Sequence, residues 1–383
     1  AGPVLIEATS NQVHQDGGYT GMTPADFRGF IEEMAGAIGF PRDRLILGGD
    51  HLGPNPWRHL PAEDALARAE TMVAAYAAAG FSKIHLDASM GCAGEPEALD
   101  DETTARRAAR LARAAERAAA DAGLQPPLYV IGTEVPTPGG AVHALDAIAP
   151  TSGAAARETI ATHRAIFAQE GLQAAFDRVV AVVVQPGVEF NHDCVVAYRP
   201  ENARSLVATL DSEPQFVFEA HSTDYQSADS LAALVRDGFA ILKVGPGLTF
   251  ALREALYALD LIASELDPAY GERTLARTME QLMLADPQHW LRYYPGSSAA
   301  QHILRHYSYS DRIRYYWPRP EAESGVGRLM ATLSGRTIPQ TLFAQFLPSA
   351  LEMSEGNVSA DRLLDYAVAR VLRLYRSAGR PGG

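Results

Sequence analysis

A three-part pattern recurs along the chain. A short β-branched apolar run comes first, then a polar or glycine-rich turn, then an alanine-rich stretch with apolar positions at helical spacing. The apolar runs are VLIEATSN (4–11), LILGGDH (45–51), KIHLDAS (83–89), LYVIGTE (128–134), VVAVVVQ (179–185), QFVFEAHS (215–222) and FAILKVG (239–245). The helical stretches are 24–38, 62–79, 102–122, 153–170, 201–209, 227–237 and 249–265. Thr23 followed by Pro24 reads as a helix start, a hydroxyl cap before a proline whose missing N–H costs nothing there. Gly80 and Gly123 read as helix stops.

Continuous apolar strands separated by helices predict a parallel sheet covered on both faces. The expected fold is α/β, a TIM (β/α)₈ barrel. Seven units are visible where a closed barrel has eight, and the chain opens almost at once with a strand and without Met. The expectation is therefore a barrel lacking its first βα unit. A doubly wound open sheet is the rival. The barrel is preferred because nearly every strand ends in polar residues of catalytic type, and only a barrel gathers all those ends on one face. The predicted barrel domain is 1–266. Residues 267–383 form a helical extension packed on it, with helices at 268–286, 340–352 and 359–377, an aromatic and arginine-rich stretch HYSYSDRIRYYWPRP (306–320), and a disordered tail RSAGRPGG.

Composition narrows the partners. The 383 residues are 47% hydrophobic and 21% charged, ordinary globular proportions. A net charge of −13 argues against a nucleic-acid partner. No apolar run reaches the roughly 20 residues of a membrane helix, and no signal peptide opens the chain. Two cysteines, Cys92 and Cys194, with no paired spacing, fit a reducing cytoplasm. Lysine is nearly absent: Lys83 and Lys243 are the only two.

The strand ends carry the candidate chemistry. In order they offer Glu7, Ser10 and Asn11; Asp50 and His51; Asp87 and Ser89; Glu134; Gln185 and Glu189; Glu219, His221, Ser222 and Asp224; and Lys243. Carboxylates and imidazoles at the ends of apolar strands do nothing for packing, and gathered on one face they describe a site. His51 and His221 are metal candidates, each with a carboxylate nearby in sequence. The third ligand is open among Glu134, Gln185 and Glu189, with Gln185 taken first; His85, inside a strand, is ambiguous. Ser10, Asn11, Ser89 and Lys243 are expected to face substrate. Gly245, in GPG (245–247), is a candidate for backbone phosphate contacts. Arg305, Arg312 and Arg314 form the one arginine cluster interleaved with serines and aromatics, and Arg305 and Arg312 are expected to bind the substrate phosphate. No convincing dinucleotide fingerprint is present, so neither nicotinamide nor nucleotide is expected. Lys243 as a Schiff-base lysine is a weaker alternative, because it would leave Asp50, His51 and His221 without a task.

These residues also carry a family resemblance. IEATSNQVHQDGGYTGMTPADF (6–27), LILGGDHLGPNPW (45–57), KIHLDASMGC (83–92), IGTEVPTPGG (131–140), VVVQPGVEF (182–190), FEAHSTDYQ (218–226) and HYSYSDRIRYYWP (306–318) resemble the GatZ/KbaZ family over nearly the whole chain. Its members are usually labelled the noncatalytic subunit of D-tagatose-1,6-bisphosphate aldolase; some are ketose-6-phosphate 4-epimerases interconverting tagatose 6-phosphate and fructose 6-phosphate. The departures are at the start: the first strand and helix are absent, and His14 and Asp16 stand where other polar residues are expected. The family is in turn similar to class II aldolases, which are zinc barrels. Their Asp-His pair resembles Asp50–His51 and their late histidine resembles His221, while their remaining histidine has no counterpart in VVVQPGVEF. The resemblance implies a divalent metal (zinc first, Mg²⁺ or Mn²⁺ as alternatives), a phosphorylated ketose, and either a homo-oligomer or a catalytic aldolase chain as partner.

Inverting C4 of a 2-ketose cannot proceed by simple enolisation, because C4 is not adjacent to the carbonyl. Cleavage between C3 and C4, rotation of the aldehyde and re-addition remains. Asp50 is the expected acid–base residue on one side, with Glu134 or Asp87 on the other.

Overall fold

The computed structural model describes residues 2–132, 148–355 and 358–379. One parallel sheet holds β1 (Val4–Thr9), β2 (Leu45–Leu52), β3 (Lys83–Leu86), β4 (Leu128–Gly132), β5 (Val179–Val183), β8 (Val217–Ala220) and β9 (Ile241–Leu242), paired in that order. A two-stranded hairpin, β6 (Glu189–Phe190) with β7 (Val195–Val196), intervenes after β5. Helices α1 (Pro24–Ala37), α2 (Ala62–Ala78), α3 (Asp101–Asp121), α4 (Gly153–Gln169), α5 (Gln173–Phe176), α6 (Pro200–Val207) and α7 (Ala228–Arg236) connect the strands. The expected helix start is present in full: Thr23 and Asp26 close a reciprocal capping box around Pro24.

The sheet is curled. β1 and β9 are its two edges, and seven flat strands would hold them about 29 Å apart. Yet Lys243, just past β9, is hydrogen-bonded to Glu7 on β1. Alternation along each strand then separates an outer from an inner face. On β3, Ile84 and Leu86 join the core beneath the helices, whereas Lys83 and His85 point the other way, to Glu7, Asp50 and Glu219. The inner face also holds a small apolar cluster of Val130, Ala181 and Val183, against which Val217 and Ile241 pack.

After β9 the chain turns helical: α8 (Pro246–Leu266), α9 (Thr274–Ala285), α10 (Ser298–Tyr307), α11 (Pro320–Leu333), α12 (Gln340–Phe346) and α13 (Ala360–Ala378). A second apolar core forms here, and it includes Leu256 to Ala263 of α8, upstream of the expected boundary at 266. α10 and α11 lie where the sequence showed no helix: glycines at 325 and 327 interrupt the pattern of α11, and α10 carries polar residues on most faces. α13 packs back on α7 and α8 and runs to Ala378, three residues into the stretch read as a disordered tail. The Tyr375 hydroxyl donates to the Thr223 carbonyl, 2.9 Å away, tying this helix to the loop after β8.

Asp260 locks the second core. Its buried carboxylate accepts from the Leu275 and Ala276 amides at 2.9 and 3.0 Å and from the Tyr270 hydroxyl at 2.6 Å. Asp260→Ala leaves those donors unpaired and is expected to cost about 3 kcal/mol or more. Calorimetric unfolding checks this; a loss under about 1 kcal/mol would show that the three bonds are dispensable.

Candidate active site at the carboxyl ends of the strands

Adjacent residues on a strand normally face opposite ways. β2 breaks that rule where it matters. Its register with β3 shifts between Gly49 and Leu52, and His51 adopts a left-handed φ of 49°, a conformation uncommon outside glycine and enriched at functional sites. The irregularity turns both Asp50 and His51 inward. There they meet His85 from β3 and His221 from the end of β8, with one ligand atom from each of the four lying within 4.8 Å of the others. Gly48 gives the neighbouring strand its room: a Cβ at that position would lie 2.4 Å from Glu7 Oε1.

Each imidazole is oriented by an acceptor. His51 Nδ1 lies 2.8 Å from Asp87 Oδ2, His85 Nε2 2.8 Å from the Gly132 carbonyl oxygen, and His221 Nε2 2.9 Å from Glu219 Oε1. Carboxylates and carbonyls only accept, so each contacted nitrogen carries a proton. In a neutral ring the other nitrogen then carries the lone pair, as in metal-binding histidines; on His85 that nitrogen, Nδ1, stands 3.3 Å from Asp50 Oδ1 and accepts from the His51 amide, also at 3.3 Å.

Beneath the imidazoles lies a layer of charge. Lys83 Nζ is 2.7 Å from Glu7 Oε1 and 2.6 Å from Glu219 Oε2. Lys243 Nζ binds Glu7 Oε2 and stands 3.0 Å from Asp50 Oδ1. Four largely buried carboxylates (Glu7, Asp50, Asp87 and Glu219) share this region with Lys83 and Lys243; burial pulls the Lys243 pKa well down, and its contacts with Glu7 and Asp50 favour the ammonium form. The two negative charges left over would be costly in a dry interior, and a divalent cation among the imidazoles would balance them. Without one, a proton does part of the work. Burial opposes charge on His51, but Asp50, Asp87 and Glu219 push its pKa up to about 10. Burial likewise raises Asp50, and the three imidazoles outweigh it, holding the carboxyl well below the usual carboxylate range. Asp87, buried beside His51, is brought down to about 2, and Glu219, buried beside Lys83, also to about 2.

Several expected residues stand elsewhere or do other work. Gln185 is not available as a ligand through its oxygen: Oε1 accepts from the Gly187 and Val188 amides at 2.8 and 2.9 Å, using both lone pairs. His85 is the third imidazole; the alternation Lys83, His85, Asp87 on β3, like Glu219 and His221 on β8, is the signal that goes with it, once the structure shows which face of the strand turns inward. Asp87 orients His51 and accepts from Ser89 Oγ at 3.2 Å, so both residues position the cluster. Glu134 lies outside the described residues. Ser10 is buried beside Asp50, with its hydroxyl unpartnered among the described residues; Asn11 is exposed. Lys243 lies in the charge layer. The Gly245 amide is spent on Asp224 Oδ1 at 2.9 Å. Arg305 is clamped by both oxygens of Glu280, and Arg312 donates to the His289 carbonyl while stacked 3.4 Å from the Tyr293 ring centroid. Arg305 is thereby neutralised, whereas Arg312 keeps both Nη groups uncommitted among the described residues.

A curled parallel sheet that gathers imidazoles, carboxylates and lysines at its carboxyl ends defines an α/β enzyme with a candidate metal-ligand cluster at that end. More particularly, the chain belongs to the GatZ/KbaZ-like family of D-tagatose-1,6-bisphosphate aldolase subunits, whose model matches residues 1–380. It is 61% identical over 379 residues to the D-tagatose 6-phosphate 4-epimerase of Agrobacterium fabrum, covering 99% of this chain and 89% of that one. A crystal structure from Sinorhizobium meliloti, described as a probable tagatose 6 phosphate kinase, is 55% identical with a TM-score of 0.90, over 98% of this chain and 93% of that one.

Cation binding must displace the His51 proton, so apparent affinity for Zn²⁺ or Mn²⁺ should rise about tenfold per pH unit between pH 6 and 9. Isothermal titration in buffers of different ionisation enthalpy should report a proton released on binding. His85→Ala and His221→Ala should each weaken binding by at least about tenfold. A pH-independent affinity, or variants that bind as wild type does, would place the ion elsewhere.

Proposed function

We propose that the chain is a ketose-6-phosphate 4-epimerase converting D-tagatose 6-phosphate to D-fructose 6-phosphate, working in the mouth of a (β/α)₈-type barrel. What carries the reading is the buried cluster of Asp50, His51, His85 and His221, in a chain 61% identical to an enzyme of that activity. A divalent cation, zinc first by this donor set, supplies a positive centre for charge developing on the sugar oxygens. Three imidazoles suffice to hold it, leaving Asp50 for proton transfer.

Asp50 is ionised across the working pH range and takes the proton of the C4 hydroxyl. The C3–C4 bond breaks, its electron pair staying with C3 and C4 becoming an aldehyde. After rotation about C4–C5, C3 adds to the other aldehyde face, and O4 recovers a proton from a group on the opposite side, for which Glu134 keeps its place from the sequence. A carboxylate held as low as Asp50 is a weak base. The neighbouring Lys243 ammonium, 3.0 Å away, offsets this by stabilising the oxyanion as it forms. Ser10, buried at the end of β1, offers a hydroxyl to the sugar.

The same bond cleavage with release of both fragments is an aldolase reaction, so product retention separates the two activities. A kinase needs a loop whose amides cradle nucleotide phosphates. The Gly245 and Gly247 amides are instead bound to Asp224.

Purified chain, D-tagatose 6-phosphate and Zn²⁺ or Mg²⁺ should yield fructose 6-phosphate by carbon NMR, and a chelator should abolish the conversion. Asp50→Asn should lower kcat by at least about 100-fold. Turnover only in the presence of a second chain would make this a noncatalytic subunit; near-normal turnover by Asp50→Asn would remove that residue from the mechanism.

A further inference from the structure

A ketose 6-phosphate needs a phosphate site, and the usual one in a parallel barrel is closed here. Many such sites use the amides at the start of the helix after the last strands. In this chain Gly245 and Gly247 donate to Asp224 Oδ1 at 2.9 and 2.8 Å, and Asp224 is buried. A dianion placed there would meet a carboxylate. The phosphate must therefore be held by side chains.

Few cations are free to do so. Lys83 and Lys243 are matched to carboxylates inside the sheet. Arg253 is buried against Phe250, its guanidinium 4.1 Å from the ring centroid, with Asp311 beside it. Arg305 has given its Nε and Nη2 to Glu280; Arg312 gives its Nε to a carbonyl and lies over the Tyr293 ring, 3.4 Å from its centroid, so its fork lacks the Nε donor.

Arg314 differs. Its Nη1 donates to the Ser310 and Asp311 carbonyls and its Nη2 to the Tyr315 hydroxyl at 2.9 Å. Those contacts fix the guanidinium in place; among the described residues no carboxylate stands within ion-pair distance of it, and the buried carboxyls of Asp224 and Asp311 feel its charge from further off. The Nε–H and one Nη2–H remain, the edge that matches two oxygens of a phosphate.

The turn carrying it, Arg312–Tyr316, is docked over the strand ends. Tyr315 meets Tyr19 of the β1 loop edge-on at 5.6 Å. Just before the turn, the Tyr309 carbonyl accepts from Tyr225, past the end of β8, at 2.6 Å, and Asp311 Oδ2 accepts from Thr249 at the start of α8, also at 2.6 Å. The Arg314 charge is felt at Asp224 and Tyr19 accordingly. These elements flank the strands that supply Glu7, Glu219, His221 and Lys243.

We infer that Arg314 is the phosphate anchor of the active site, binding the dianion through its Nε–Nη2 edge beneath the Arg312–Tyr316 turn. The inference rests on the epimerase reading for its substrate but not for its test. Inorganic phosphate is titrated against wild type, Arg314→Lys and Arg314→Met by phosphorus NMR. Line broadening is expected with wild type, weaker with Lys, which keeps the charge but loses the fork, and lost with Met. In kinetics, Arg314→Met should raise KM for D-tagatose 6-phosphate about 10- to 100-fold, with a smaller change in kcat. Discrimination between that substrate and unphosphorylated D-tagatose should fall by a similar factor. Phosphate binding by Arg314→Met equal to wild type, no phosphate binding by wild type, or unchanged discrimination would each overturn the assignment. A wild type that binds phosphate through Arg314 yet epimerises no ketose phosphate would sink the epimerase reading and leave the anchor standing.

Discussion

Glu7, Lys83, Glu219 and Lys243 form one buried ion network, and much of the architecture follows from it. Buried ion pairs seldom stabilise a protein relative to apolar packing, so their presence here needs another reason. Two are visible. Lys243 reaches across to Glu7 and holds the two edges of the curled sheet against each other. The same ammonium stands against Asp50, and Glu219 orients His221, so the network is also the floor of the site. Replacing one member would leave its partners charged and unmatched, which is far more costly than never having had the pair.

That network explains why lysine survives at only two positions in an arginine-rich chain. An ammonium is a compact point charge that fits between carboxylates inside a narrow sheet, whereas a guanidinium is planar and broad. The arginines are used where breadth helps, stacked on tyrosines or clamping carboxylates in the C-terminal helices. Arg314 shows the first habit alone, resting on Tyr315 with no carboxylate at ion-pair distance among the described residues.

The alternation of strand and helix was plain from residue 4 to 266, because β-branched runs and alanine-rich helices have distinct periods. The strand-end residues were legible for the same reason. Three things were not. His85 looked ambiguous inside a strand, and only the inward face of β3 reveals that it shares a direction with Lys83 and Asp87. Gln185 looked like a ligand by position, but a turn two residues on claims its oxygen. The roles of Arg305, Arg312 and Arg314 depend on which helix each meets, and sequence spacing carries no trace of Glu280 or of the His289 carbonyl as their partners.

The account turns on the two unbalanced negative charges beneath three oriented imidazoles. Crystals of the protein equilibrated with Zn²⁺ or Mn²⁺ and measured at the metal's absorption edge test it directly. One anomalous peak is predicted, about 2.0–2.3 Å from nitrogens of His51, His85 and His221 and close to Asp50. An empty cluster, with the peak elsewhere (at Glu280, His302 and His306, for instance), would contradict it.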